Sequence, residues 1–222
     1  MQRSDVIQRL GQTAPGIRSA PGTTVPPAAV RAFDAAAEGQ RGDHDLNPGM
    51  HPERALTQAA VLVPLIDRPE GMSVLLTKRT DHLHDHAGQV SFPGGRIDPE
   101  DRDAAAAALR EAKEEVGLDP DRVDLIGRLD TYVTRTGFEV VPWVGLVMPP
   151  IALLPDPFEV AEVFEVPLAY FLDPASRKTE SRVWQGKERF FYVYPWHSYY
   201  IWGATAGMLS NLAEVLGDRL PS

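Results

Sequence analysis

Three carboxylates close together in the chain are its residues best suited to chemistry. Glu111, Glu114 and Glu115 lie in Arg110-Glu111-Ala112-Lys113-Glu114-Glu115-Val116-Gly117-Leu118. In a helix, positions three and four apart are neighbours, so the three side chains share a face. Like charges at that spacing repel, so either solvent dilutes them or a divalent cation sits among them.

The elements that must position these groups can be read from composition and punctuation. Asp103 to Val116 has five consecutive alanines, Leu109, and no Gly or Pro until Gly117, which suits a C-terminal cap; the reading is a helix. Upstream, Phe92-Pro93-Gly94-Gly95 ends a short strand at Gln89 to Phe92, and its glycines allow close backbone approaches. Before that, Ala60 to Ile66 and Ser73 to Arg79 flank Arg68-Pro69-Glu70-Gly71 and read as a β-hairpin. After Gly117 come strands at Val123 to Thr131, at Phe138 to Val147 with Pro142 as an interruption, and at Val160 to Val166. A strand pair around Arg182 to Trp184 and Phe190 to Tyr194 precedes a closing helix from about Ile201 to Leu216. Strands outnumber helices, which indicates an α/β (α+β) fold with a mixed sheet. Residues 1 to 55 are loose in composition around a short helical candidate at Ala28 to Glu38; they read as an N-terminal arm, with one domain over 56 to 222.

The 222 residues are 43% hydrophobic and 24% charged, ordinary values for a globular protein with its own core. A net charge of -9 argues against a general affinity for nucleic acid. It leaves room for small anionic substrates, because a bound metal reverses the local field. The absence of cysteine excludes disulfides and thiolate catalysis and fits a reducing compartment. No run of about 18 apolar residues is present and the N-terminal residues lack a signal-peptide core, so no membrane association and a cytoplasmic location are the expectation. The arm and the aromatic C-terminal third suggest a homodimer.

The same residues resemble the Nudix hydrolase signature, G-x5-E-x7-R-E-U-x-E-E-x-G-U with U aliphatic. Gly95, Arg110, Glu111, Glu114, Glu115, Gly117 and Leu118 fall on it. Asp101 stands where the pattern has Glu, with one extra residue before Arg110, and Ala112 is a small occupant of the aliphatic position. Both the Asp and the extra residue resemble the coenzyme A pyrophosphatase branch of that family. The branch has a second signature, LLTxRSx3Rx3GxVxFPGG, which Leu75, Leu76, Thr77, Arg79, Gly88, Val90, Phe92, Pro93, Gly94 and Gly95 match, with Thr80 for Ser and His84 in the place of an Arg. The stretches Glu159 to Leu168 and Trp202 to Thr205 are also similar to that branch.

The resemblance implies a Nudix α/β/α sandwich and a metal-dependent hydrolase that splits the pyrophosphate of coenzyme A or acyl-CoA. The same chemistry on a dinucleotide or nucleotide sugar is the alternative, and a nucleotide-binding module without turnover is a more distant one. Mg²⁺ or Mn²⁺ is the implied cofactor, since hard cations take oxygen ligands and keep waters and substrate phosphates beside one or two carboxylates. Glu111 and Glu115 are the first candidate ligands and Glu114 a further ligand or orienter. The candidate catalytic set is Glu115, Glu111, Arg110 and Glu159, with Arg110 forking onto a glutamate and Glu159 a candidate base. Arg79, His84, Gly94 and Gly95 are the candidate substrate contacts.

Other features have plainer readings. His82, His84 and His86 lack a zinc-type ligand set and read as loop histidines. Arg135 reads as a solvated loop arginine, with an anion contact as the functional alternative. The aromatic run Phe190 to Trp202 reads as core packing or a subunit interface, with nucleotide stacking as the alternative. Glu162 and Glu165 read as the solvent side of a strand. No GxxxxGK[ST] phosphate loop or GxSxG elbow is present.

Overall fold

A computed structural model of the chain describes residues 1–13, 39–52, 55–82, 86–184 and 186–217. In chain order it holds helix α1 (Arg3–Thr13) and strands β1 (Gln40–Gly42), β2 (Thr57–Arg68), β3 (Gly71–Arg79), β4 (Val90–Ser91) and β5 (Gly94–Arg96). Helix α2 (Ala104–Val116) follows, then β6 (Val123–Arg128), β7 (Thr131–Val133), β8 (Phe138–Val147) and β9 (Val160–Pro167). Helix α3 (Leu168–Leu172), strands β10 (Lys178–Trp184), β11 (Lys187–Trp196) and β12 (Tyr199–Trp202), and helix α4 (Gly203–Leu216) complete it.

Nine strands form one mixed sheet centred on β2 and β8, which run parallel from Thr57↔Phe138 to Ile66↔Val147. The other edge of β2 is divided. Its first half pairs with β5 at Ala59 to Val61, and its second half pairs with β3 at Leu65 to Arg68. The sheet therefore splits beside β2, with Arg79 at the end of β3 on one side and Gly94-Gly95 of β5 on the other. Strands β10, β11 and β12 form a separate antiparallel sheet.

Period-two alternation gives the sheet two apolar faces. Leu62, Ile66, Leu75 and Trp143 pack beneath α2, whereas Val63, Leu65, Val74, Leu76, Val144 and Leu146 face the layer containing α1 and α4. Helices thus cover both faces, giving an α/β/α sandwich. Ala104, Ala105, Ala107, Ala108 and Ala112 are all buried under 10% exposure, so the alanines of α2 serve contact with the sheet as well as helix propensity.

Several sequence expectations are corrected. Pro142 does not interrupt β8; the strand runs through it. Its carbonyl accepts from Leu129 N–H at 2.9 Å, on the side where the neighbouring chain passes from β6 to β7, so the missing donor falls at a break in that ladder. The closing helix starts at Gly203, because Tyr199 to Trp202 pair with β11 first. Glu165 is not a solvent-side acid: Arg68 and Ser73 hydrogen-bond it, and these bonds hold its carboxyl below its ordinary range against the opposing effect of burial.

Helix α1 was not expected at all. Val6 and Leu10, one turn apart, are fully buried, and Arg9 donates to the carbonyls of Leu216 and Gly217 at 2.9 and 2.7 Å. A side chain from one helix thereby satisfies the free carbonyls that end another. The expected helix at Ala28 to Glu38 lies outside the described residues. No described helix is long and apolar enough to cross a membrane.

Candidate active site

Local signals in the sequence fix the helix that carries the carboxylates. Asp103 caps the N-terminus of α2, its side chain accepting from Ala106 N–H at 2.8 Å. Gly117 ends it with a left-handed φ of 70°, where a residue with a Cβ would be strained. The backbone then folds back onto the helix: Leu154 N–H donates to Val116 O and Asp156 N–H to Glu115 O, each at 2.9 Å. This loop delivers Glu159 to the start of β9, where Thr80 N–H donates to its carbonyl at 3.0 Å.

The three glutamates of α2 have different surroundings. Glu115 points at the split in the sheet and its side chain is 6% exposed; it accepts from Gly94 N–H at 3.2 Å and faces Arg79 at 3.7 Å. Burial pushes the Glu115 carboxyl up to about 8, with the Gly94 bond and the Arg79 charge opposing and the charges of Glu111 and Glu159 adding to the rise. Glu111 is half-buried and also raised by burial, against its bond from Arg110, with Glu114 and Glu159 adding to the rise. Glu114 is 60% exposed at the rim. Glu111, Glu115 and Glu159 therefore repel one another around one space, and Glu114 stands outside it. Among the described residues no three Asp, Glu or His side chains converge closely enough to hold a metal by themselves.

Arg110 organises the helix face. Its Nε and Nη2 fork onto Asp101 at 3.0 and 2.9 Å, and its Nη1 reaches Glu111 and Glu114, each at 3.0 Å. The bond from Arg110 holds the Asp101 carboxyl below its ordinary range despite burial. Asp101, the departure from the signature, is thus the second anchor of the guanidinium that orients Glu111. The shorter Asp side chain and the extra residue before Arg110 arrive together, and the fork still closes.

The glycines seat the glutamates. A Cβ at Gly95 would stand 2.6 Å from Glu111 Oε1, and one at Gly94 would collide with the Ala60 carbonyl and Val61. Only at these positions can β5 pass between β2 and α2 while offering a backbone N–H to Glu115.

Arg79, Gly94 and Gly95 line a cleft of about 550 Å³ between the two sheets. Its far wall comes from β10, β11, β12 and the loop after β7, with Trp184, Phe191, Trp202, Arg135, Arg182 and Arg189. Part of the aromatic run expected to pack or pair subunits therefore lines a groove, while Tyr194 is in the core. Sequence reasoning passed over Arg182 and Arg189. The signal was their placement on either side of Gly186, which suits positions opposite each other in a hairpin. The structure brings Arg79, Gly94, Gly95, Glu111, Glu115 and Glu159 together. Arg110 supports them from the helix, and His84 lies outside the described residues.

The NUDIX domain family profile matches residues 56–187. The uncharacterized Nudix hydrolase NudL of Cronobacter sakazakii is 44% identical over 171 residues, covering 73% of this chain and 84% of that protein. NudL of Escherichia coli K12 is 43% identical with the same coverage. The mitochondrial Nudix hydrolase 15 of Arabidopsis thaliana is 37% identical over 172 residues, 74% of this chain and 60% of that protein. Among solved structures, a C. elegans Ap4A hydrolase binary complex aligns at TM-score 0.44 and 22% identity over 50% of this chain and 80% of that one, too distant to bear on substrate. With the signature glutamates set on α2 beside a split mixed sheet, and with these relatives, the chain belongs to the Nudix hydrolase family.

Proposed function

We propose that the chain hydrolyses the pyrophosphate linkage of coenzyme A or its acyl derivatives. The products are 4′-phosphopantetheine, acylated where the substrate was, and adenosine 3′,5′-bisphosphate. The observation that carries this reading is the run Leu75 to Gly95. Its described residues resemble the coenzyme A pyrophosphatase signature, and they build β3, β4 and the start of β5 directly beside Glu111 and Glu115.

The donor set fits Mg²⁺ or Mn²⁺: it is all oxygen, partly desolvated and mutually repelling, and it leaves most positions to water and substrate phosphate. Glu111 and Glu115 would hold the ion, and Glu114 at the rim, bonded to Arg110, would act as an orienter. When bound, such an ion neutralises phosphate oxygens and acidifies a water. The chain's own groups do the rest. Arg110 fixes Glu111 through the Asp101 fork, and Gly94 N–H with Arg79 fixes Glu115. Arg79 also lines the cleft and presents its remaining donors to the diphosphate. Glu159 accepts the proton of the attacking water, because its charge reaches both glutamates while among the described residues no hydrogen bond engages its carboxylate. The water oxygen bonds to one phosphorus, and the bridging oxygen leaves with the electron pair.

Mass spectrometry of a coenzyme A reaction in oxygen-18 water tests this. One heavy oxygen in one of the two products is the expected result and identifies the attacked phosphorus; no cleavage with either metal would sink the assignment. Because His84 replaces an arginine of the branch signature, a second reading keeps the chemistry and changes the substrate to a dinucleotide or nucleotide sugar. Faster turnover of those compounds than of coenzyme A would move the assignment there.

A further inference from the structure

The wall of the cleft opposite Gly94 and Gly95 is cationic in a chain of net charge -9. Arg182 and Arg189 are register partners in the β10–β11 ladder, and period two puts Trp184 and Phe191 on the same face. Like charges directly opposite each other destabilise such a pair. Arg135 adds a third cation: it lies 5.3 Å from the Trp184 ring centroid, and its charge further depresses the Arg189 guanidinium, which desolvation already lowers.

Among the described residues these cations have no carboxylate in an ion pair with them. Among the described residues, Arg41, Arg68, Arg110 and Arg177 each form an ion pair with a carboxylate, but Arg135, Arg182 and Arg189 form none. Arg189 Nε is buried without a hydrogen-bond partner. The charge of nearby Asp43 offsets part of the depression of Arg189, but its oxygens accept from other groups, Oδ1 from Tyr132 O–H and Oδ2 from Arg135 backbone N–H, each at 2.8 Å. Three guanidinium groups on one wall of a cleft, none in an ion pair among the described residues and one with a buried unpartnered donor, suit an anion of more than one charge.

We propose that Arg135, Arg182 and Arg189 form a subsite for a phosphate monoester carried by the substrate in addition to the diphosphate, which in coenzyme A is the 3′-phosphate. This rests on the coenzyme A reading given above and supplies the element that separates it from its rival, since nucleotide sugars and dinucleotides without a ribose phosphate lack a monoester. The diphosphate occupies the end of the cleft formed by Arg79, Gly94 and Gly95 on the main sheet. The monoester, carrying a charge of about -1.5 to -2, meets the arginines of the small sheet.

Two measurements on the full chain test the subsite. By calorimetry without metal, adenosine 3′,5′-bisphosphate is expected to bind at least about tenfold tighter than adenosine 5′-monophosphate, and Arg189→Ala to erase that preference. Equal affinities of the two nucleotides for the unmodified chain overturn the subsite. In turnover, the ratio of kcat/KM for coenzyme A to that for 3′-dephospho-coenzyme A is expected to fall about 10- to 100-fold in Arg189→Ala. An unchanged ratio also overturns it. Arg135→Ala is the second variant should Arg189→Ala fail to fold, with the same expected loss of preference. Failure of the underlying reading is distinguishable, because an unmodified chain that cleaves neither compound refutes the coenzyme A assignment while the calorimetric preference still decides the subsite.

Discussion

The two ends of the site use arginine in opposite ways. At the helix end, Arg110 is saturated: Asp101 takes two of its donors, Glu111 and Glu114 share a third, and the Arg96 carbonyl accepts at 3.1 Å. At the small-sheet end, Arg182 and Arg189 face each other, and Arg135 lies beside an indole. A saturated guanidinium has little left for a ligand and works by fixing its neighbours. Guanidinium groups that repel each other without a carboxylate partner are stabilised when an anion arrives. The carboxylates show the same contrast in reverse, since the mutual repulsion of Glu111, Glu115 and Glu159 is relieved by a cation. The region around Gly94 and Gly95 thus has an acidic end, behind β5, and a basic end, on the far wall of the cleft, and a charge of opposite sign would stabilise each.

The sharpest way to break this contrast is at Glu115. Glu115→Gln keeps the shape and the acceptor for Gly94 N–H but removes the charge, so turnover is expected to fall by about 10²- to 10⁴-fold while the melting temperature without metal stays equal or rises. Near-normal rates in a folded variant would remove Glu115 from the site. A smaller effect is expected from pH on the metal-free protein. A carboxyl raised from 4.5 to about 8 on folding holds its proton more tightly in the folded state. Its contribution is therefore complete at low pH and is lost as pH rises towards 8. Between pH 6 and 8.5 this amounts to about 2–3 kcal/mol, or roughly 5–10 °C in melting temperature, with a chelator present. Glu115→Gln should flatten the slope. A melting temperature that rises over the same interval would contradict the burial argument.

The acidic end was legible in the sequence because its signals are local. Asp103 and Gly117 cap α2, Gly94-Gly95 marks a close approach, and the glutamates sit at helical spacing. What spacing could not give was orientation: Glu114 and Glu115 are adjacent in the chain, yet one is at the rim and the other under it, because α2 turns its alanine face to the sheet. The basic end was illegible for a different reason. Arg135 comes from a loop some fifty residues before its neighbours (about 3.5 Å per residue of extended chain separates such positions until the fold returns them), and Arg182 meets Arg189 only through a hairpin register. Helix α1 escaped notice because Val6 and Leu10 supply only one turn of apolar pattern; its stability comes from β6 and from Arg9 capping α4, both tertiary. Pro142 looked like a breaker because its tolerance depends on which neighbour lies beside it.

The smallest effect sharpens the comparison of the two arginine settings. Arg110→Lys keeps the charge but cannot fork onto Asp101 while also reaching Glu111, since an ammonium is a point donor and the guanidinium is planar and bidentate. Glu111 then loses its orientation without losing its neighbour's charge, and kcat/KM is expected to fall about 10- to 100-fold, the usual cost of removing a group that orients a metal ligand. Because Arg110 acts through Glu111 and touches no part of the nucleotide, the fall should be the same for coenzyme A and 3′-dephospho-coenzyme A, and it should be partly rescued by raising Mg²⁺. Arg189→Ala should do the reverse, changing the ratio of the two substrates and responding little to metal. If Arg110→Lys altered the substrate ratio, the two ends of the site would not be independent. Arg110 would then have to be counted among the groups that read the nucleotide and no longer as the positioning residue its bonds to Asp101 and Glu111 describe.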